Sequence, residues 1–483
     1  MVSSIPTNPV SYLERNAKDA PNGTCIATAK QTITNAEALT EVKQIAYEMR
    51  RLGVKPGDMI AIDLPEVLTL LFVEAAFHEA AGTTLLPPAY DPTGVFTVDW
   101  MFTNQPEAHG SGIGRVVEVD DRFLALIEQN PYGISALDWN SPDDVMCVIF
   151  SSGTTGRPNA IPAKIGALEE QTSTSPEPWA QRGRFISFLP AKTPLGLFSF
   201  LLNVMDRESY LSVGDNIPAE TVELVSRNGV RVFVMSPAQV AGFVGEVEAT
   251  GRTLPQIEAV YTVGTAMSPE LNARMRAATE GCEILCVYGS TEAGVAALRN
   301  YESDDPFDVG QVLASAQVQI VDDDDILLHV GEVGNIRYRP SLKVREYLGD
   351  PESTATTWVD DWFYPGDLGS LRPDGGLTLA GRASEIINAG GVKVNPVRLD
   401  QFATKQDGVL DAASFGYETA DGILQVGIAL VTVDGFDAQA LAALFIAEFG
   451  AAAPQLVARL DAIPRNAMGK PLRLALAANY RES

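Results

Sequence analysis

Two short stretches of this sequence gather groups suited to binding phosphate. Ser151-Ser152-Gly153-Thr154-Thr155-Gly156 puts four hydroxyls and two glycines into six consecutive positions, directly after the apolar run Val145–Phe150. Hydroxyls donate hydrogen bonds, and glycine lets successive backbone N–H groups converge on one anion. A triphosphate presents many acceptor oxygens, so the loop suits it; read alone, the same residues also make an ordinary flexible turn. The G-x-x-x-x-G-K-[ST] order is missing, so this is not a Walker A loop. The second stretch, Tyr288-Gly289-Ser290-Thr291-Glu292, also follows an apolar run. Tyr288 offers a ring face to a base and Thr291 a hydroxyl to a phosphate. Glu292 offers a hard oxygen to Mg2+, an ion that takes one or two carboxylates plus phosphate oxygens. Taken singly, Glu292 reads as a surface carboxylate.

Further along lie Gly366-Asp367, then Gly381-Arg382-Ala383-Ser384-Glu385, then Asn388-Ala389-Gly390-Gly391-Val392-Lys393. An aspartate just after a strand can accept both hydroxyls of a ribose, although a Gly-Asp pair by itself also makes a turn. Near the end, Pro464-Arg465-Asn466-Ala467-Met468-Gly469-Lys470 places a lysine after a glycine, free to approach an anion. Other polar clusters carry less. His109-Gly110-Ser111-Gly112-Ile113-Gly114 lacks the G-x-G-x-x-G spacing and reads as a surface loop. Asp322–Asp325 has no EF-hand spacing and reads as a solvated hairpin turn.

These residues need elements to hold them. Thr34-Asn35-Ala36-Glu37 is a capping box, followed by Leu39, Val42, Ile45, Ala46, Met49 and Leu52 at helical period and stopped by Gly53. Residues Met59–Leu64 read as a short apolar strand, and Val145–Phe150 as a buried one. Helix-strand alternation of this kind predicts an α/β fold with a mostly parallel sheet. The 483 residues suit two to four structural units.

The motifs occur in one order: SSGTTGRP, YGSTE, GD, GR with GG, and PRNAMGK. In that order and spacing the chain, from about residue 10 to its end, resembles the adenylate-forming superfamily. That group includes acyl-CoA synthetases, adenylation domains of nonribosomal peptide synthetases and firefly luciferases. The resemblance implies a large N-terminal domain with mostly parallel sheets, residues 1–383, binding ATP and acid. A small mobile α+β C-terminal domain, residues 384–483, would follow, with Ser384 at the hinge. Ser151–Gly156 would wrap the β- and γ-phosphates, and Gly264, Thr265 and Ala266 would line the adenine side. Tyr288 would flank adenine, Thr291 the α-phosphate and Glu292 the magnesium. Asp367, helped by Arg382, would hold the ribose, and Lys470 would be the mobile catalytic lysine. The acid pocket would lie near Phe188, Thr193, Leu197, Phe198, Val263 and Val287, mostly apolar, which favours an aromatic or aliphatic acid.

The implied reaction joins a carboxylate to the α-phosphate of ATP, releasing pyrophosphate. Two anions must meet, so charge stabilisation by Mg2+ and a lysine is the main need. The sequence departs from the family in three places. Pro158-Asn159-Ala160 stands where Pro-Lys-Gly is usual, with Lys164 nearby as a substitute cation; Thr193 stands where a histidine is frequent; and Ser384 replaces the common Asp or Lys of the hinge. Three readings follow: a synthetase passing the acyl group to the CoA thiol, a free-standing ligase passing it to an amine, and a nucleotide-binding relative without catalysis. Retention of Glu292, Asp367, Arg382 and Lys470 disfavours the last.

The formal net charge of −27 argues against general nucleic-acid binding or attachment to an anionic membrane, since both use basic surfaces. Cys25, Cys147, Cys282 and Cys286 form no metal-binding spacing and suit a reduced, cytoplasmic setting. The start, MVSSIPTNP, has no basic region followed by an apolar run, which reads as no signal peptide. No apolar run approaches the roughly 18 residues of a membrane span.

Overall fold

A computed structural model describes residues 8–28, 30–108, 112–151, 158–166, 184–205, 210–211, 220–264, 267–300, 307–339, 344–465 and 471–480. The chain divides into two compact units. The first comprises residues up to Gln319 with Arg337–Pro365 and Asp374–Leu377; the second comprises Ile320–Ile336, Gly366–Pro373 and the chain from Thr378 onward.

The first unit holds two large sheets. One is built from β1 (Met59–Asp63), β2 (Gly82–Thr84), β3 (Val98–Thr103), β4 (Ile113–Glu118), β5 (Val145–Ser151) and β6 (Asn159–Lys164), in the order β4-β3-β1-β2-β5-β6. All its pairings are parallel except β5 with β6. The helix expected after Thr34 runs Asn35–Leu52. Both bonds of its capping box are present, and Gly53 closes it at φ +104°. The other sheet contains β7 (Phe185–Ser187), β8 (Val232–Met235), β9 (Ala259–Thr262), β10 (Glu283–Ser290), β11 (Gly294–Asn300) and β12 (Asp308–Val312), in that order. Its first four strands are parallel and the last two pairings antiparallel.

Strands buried on both faces need apolar residues at every position, and β8 shows the result. Val232 and Val234 pack with Phe185, Tyr261 and Leu285, while Phe233 and Met235 join a cluster with Phe188, Phe243 and Met275. The four cysteines are buried. Among the described residues no helix is long and apolar enough to cross a membrane.

The second unit is α+β. Its core sheet pairs Val409–Glu418 antiparallel with Leu424–Thr432, which pairs parallel with Leu456–Arg459. One face packs against Leu399 and Ala403 of helix Pro396–Thr404 and Leu441 and Phe445 of helix Ala438–Phe449. The other carries Phe415 against Leu476 and Tyr480, the two rings stacked at 5.4 Å. The aspartate run is the expected turn: Asp322 Oδ1 accepts from the N–H groups of Asp324 and Ile326, and Asp325 sits at φ +66°.

Candidate active site

Ser151 ends β5 and pairs with Asn159 at the start of β6, so the two stems of the hydroxyl-rich loop lie side by side. Ser152, Gly153, Thr154, Thr155 and Gly156 lie outside the described residues. Lys164 does not replace the lysine missing at Asn159. It sits at the far end of β6, opposite Val145, bonded to Asp143 at 3.1 Å. Five residue steps along the strand separate it from Asn159, about 17 Å at ~3.3 Å per residue.

The stretch Tyr288–Gly294 is the tip of the hairpin joining β10 and β11, with Thr291 to Ala293 in its turn. Gly289 permits that closeness: a Cβ there would meet the Gly294 carbonyl oxygen at 2.3 Å. Tyr288 and Thr291 are half-buried at this tip. Ser290 Oγ lies 3.2 Å from the Tyr338 hydroxyl. Glu292 is not a surface carboxylate, being only 7% exposed. Its Oε1 accepts a hydrogen bond of 3.0 Å from the Tyr347 hydroxyl. Burial, then the neighbouring Glu292 charge, pushes the Tyr347 phenol well above its usual range, so it remains a donor at neutral pH. Sequence reasoning missed Tyr347 altogether.

Gly264 follows β9 at φ +96°, a conformation that favours glycine; Thr265 and Ala266 lie outside the described residues. Val263 and Val287 are partly buried against the same apolar face of the second sheet. Phe188 is a correction. It is 1% exposed and meets Phe233 and Phe243 edge-on at 5.2 and 5.5 Å, on the opposite face, where it fills core and cannot line a pocket with the two valines. Leu197 is buried in helix Pro194–Met205. Phe198 belongs to that helix, with its side chain outside the described set. Thr193 works as this helix's cap: its hydroxyl accepts from the Gly196 N–H at 3.1 Å and donates to the Pro190 carbonyl at 2.7 Å. A Thr-Pro pair opening an apolar helix is a local signal for that role.

In the second unit the structure brings Asp367 and Arg382 together. Neighbouring strands Asp367–Leu371 and Gly376–Arg382 set Arg382 Nε 2.9 Å from Asp367 Oδ1. Asp367 is buried, while the arginine side chain is 42% exposed. Gly366 turns the chain at φ +76°, and its carbonyl accepts from the Ala383 N–H. Ser384 lies exposed in the short turn Ala383–Glu385.

Lys470 lies outside the described residues, but both stems of its loop are fastened. Arg465 pairs with Pro471 across an isolated bridge, and the Leu472 N–H donates to the Pro464 carbonyl. Arg465 reaches Asp411 at 2.6 Å; Arg473 reaches Asp400 at 2.8 Å and the Ser414 carbonyl at 2.6 Å. Burial raises the Asp400 carboxyl, and Arg473 opposes that shift.

Residues 100–348, just over half of the chain, match the family described as AMP-binding enzyme. The chain belongs to this family. It is therefore an adenylate-forming enzyme, an AMP-forming ligase that uses ATP to activate a carboxylic acid. Among relatives, the 2-hydroxy-7-methoxy-5-methyl-1-naphthoate–CoA ligase of Streptomyces carzinostaticus is 25% identical over 97% of this chain and 92% of its own length. The fold is that of other family members. O-succinylbenzoate coenzyme A synthetase (MenE) of Bacillus subtilis, solved with ATP and a magnesium ion, superposes with a TM-score of 0.81 at 20% identity, over 96% of this chain and 98% of that one. The amide bond synthetase McbA of Marinactinospora thermotolerans gives a TM-score of 0.81 at 21% identity, over 98% and 100%.

Proposed function

We propose that this adenylate-forming enzyme activates an apolar or aromatic carboxylic acid and transfers the acyl group to the thiol of CoA. The observation that carries the CoA reading is the end-to-end correspondence with a naphthoate–CoA ligase, 97% of this chain against 92% of the relative. The half-buried apolar pair Val263 and Val287 supports an apolar acid. Asp367 would take the ribose hydroxyls, with Arg382 holding the carboxylate in place, and Tyr288 would face the adenine. Thr291 and the hydroxyl-rich loop from Ser151 would bind phosphate. Lys470 would meet the carboxylate and the α-phosphate, on a small domain running from residue 384 with Ser384 as hinge.

Glu292 fits a magnesium ion: it is a single, nearly buried carboxylate with one oxygen already held by a phenol. Magnesium takes one or two carboxylates and completes its coordination with phosphate oxygens and water. Such an ion would supply charge neutralisation on the phosphates of ATP.

A second reading, transfer to an amine, is favoured by Thr193. Its hydroxyl is committed to a helix start at the position where a histidine is frequent in the family, so that position has no titratable side chain. The test is in two stages. Pyrophosphate release with a panel of aromatic and aliphatic acids identifies the substrate; the best acid is then offered CoA and a set of amines. Acyl-CoA formation far exceeding amide formation is expected, and amide alone would reverse the assignment.

A further inference from the structure

We infer that Tyr347 is a positioning residue for the metal-binding carboxylate, its hydroxyl holding Glu292 ready for Mg2+. The inference rests on the reading that Glu292 binds the metal.

A carboxylate only accepts, so the 3.0 Å contact fixes Tyr347 as donor to Glu292 Oε1. The phenol itself is fixed from several sides. The Tyr347 N–H donates to Thr354 Oγ1 at 2.9 Å, and Thr354 Oγ1 donates to the Asp350 carbonyl at 2.7 Å. The next N–H, of Leu348, donates to the Ala160 carbonyl at 2.9 Å, beside Asn159. The ring meets Trp358 edge-on at 4.7 Å and is 8% exposed.

This arrangement has a physical consequence. A glutamate side chain loses rotamer freedom on binding a metal, and a rigid partner on one oxygen imposes that loss beforehand. Glu292 Oε2 has no hydrogen-bond partner among the described residues and keeps its lone pairs for a cation.

The experiment is a Mg2+ titration of nucleotide binding by calorimetry, with a non-hydrolysable ATP analogue, on the wild type, Tyr347→Phe and Glu292→Gln. Tyr347→Phe keeps the ring and removes only the hydroxyl. Its half-saturating Mg2+ concentration should rise about tenfold. Metal-free nucleotide affinity and melting temperature should stay near wild type, and excess Mg2+ should restore the rate of pyrophosphate release. If Glu292→Gln shifts the titration and Tyr347→Phe does not, the positioning role is overturned while the metal site stands. A wild-type titration in Glu292→Gln overturns the metal site itself. Should Tyr347→Phe fail to fold, Thr354→Val, which removes the hydroxyl that takes the Tyr347 N–H, decides the matter: a smaller shift in the same direction supports the inference, and none refutes it.

Discussion

Glu74 makes stability depend on pH in an unusual direction. Helix Glu66–His78 is buried at every position from Thr69 to His78, and Glu74 lies in that stretch at 1% exposure. Among the described residues neither carboxylate oxygen has a hydrogen-bond partner. Burial pushes its pKa from 4.5 up to about 8. Below pH 4.5 the group is neutral in folded and unfolded chains alike. Between 4.5 and about 8 the unfolded chain gives up a proton that the native state keeps, so stability falls as pH rises, and it levels off above 8. At about 1.4 kcal/mol per pH unit, the loss between pH 5 and pH 8 is on the order of 3–4 kcal/mol. Glu74→Gln has nearly the same shape and no proton to lose. Its stability advantage over wild type should therefore grow by that amount across the interval. Urea unfolding can be followed by tryptophan fluorescence, since Trp139 is buried beside Phe77 of the same helix. Comparing variant with wild type at each pH cancels the other titrating groups. Parallel profiles, with a constant gap from pH 5 to pH 8, would refute the argument.

Three further outcomes are expected. Lys470→Ala should slow pyrophosphate release roughly a hundred- to a thousandfold, about 2.7–4 kcal/mol, while acyl transfer from a supplied acyl-adenylate is largely kept; equal losses in both assays would remove it from the adenylation step. Asp367→Asn should weaken ATP binding by tenfold or more, about 1.5–3 kcal/mol for a hydrogen bond to a charged group; unchanged affinity by calorimetry would rule out the ribose role. Arg473→Met strands the buried Asp400 without its guanidinium and should destabilise the second unit by about 3–5 kcal/mol. Adding Asp400→Asn should recover part of that loss, and a double variant no more stable than the single would argue against the pair.

Much of the local structure was legible because its causes are local. Thr34 and Glu37 satisfy each other's backbone donors three residues apart, and Gly53 ends the helix because it adopts φ +104° without steric cost. The same holds for the turn at Asp322, where one carboxylate oxygen captures the N–H groups two and four residues on. The capping role of Thr193 was legible too, because a threonine directly before Pro194 is a local helix-start signal. Phe188 was not legible. Whether an aromatic just past a strand end faces helix or cleft depends on the sheet's register, and here the Phe188 N–H bonds the Val234 carbonyl and the ring joins Phe233 and Phe243.

The motifs, their order and the apolar runs before them are properties of the chain, and by themselves they determine the family and the reaction class. Partnership between distant side chains is not such a property. Asp367 and Arg382 meet because two strands pair, and Tyr347 reaches Glu292 across 55 residues of sequence because the Leu348 backbone is tied to Ala160 in β6. A tyrosine on a loop carries no sign of which carboxylate it will face. Only burial together in the folded chain excludes water from both and makes the phenol the partner of Glu292.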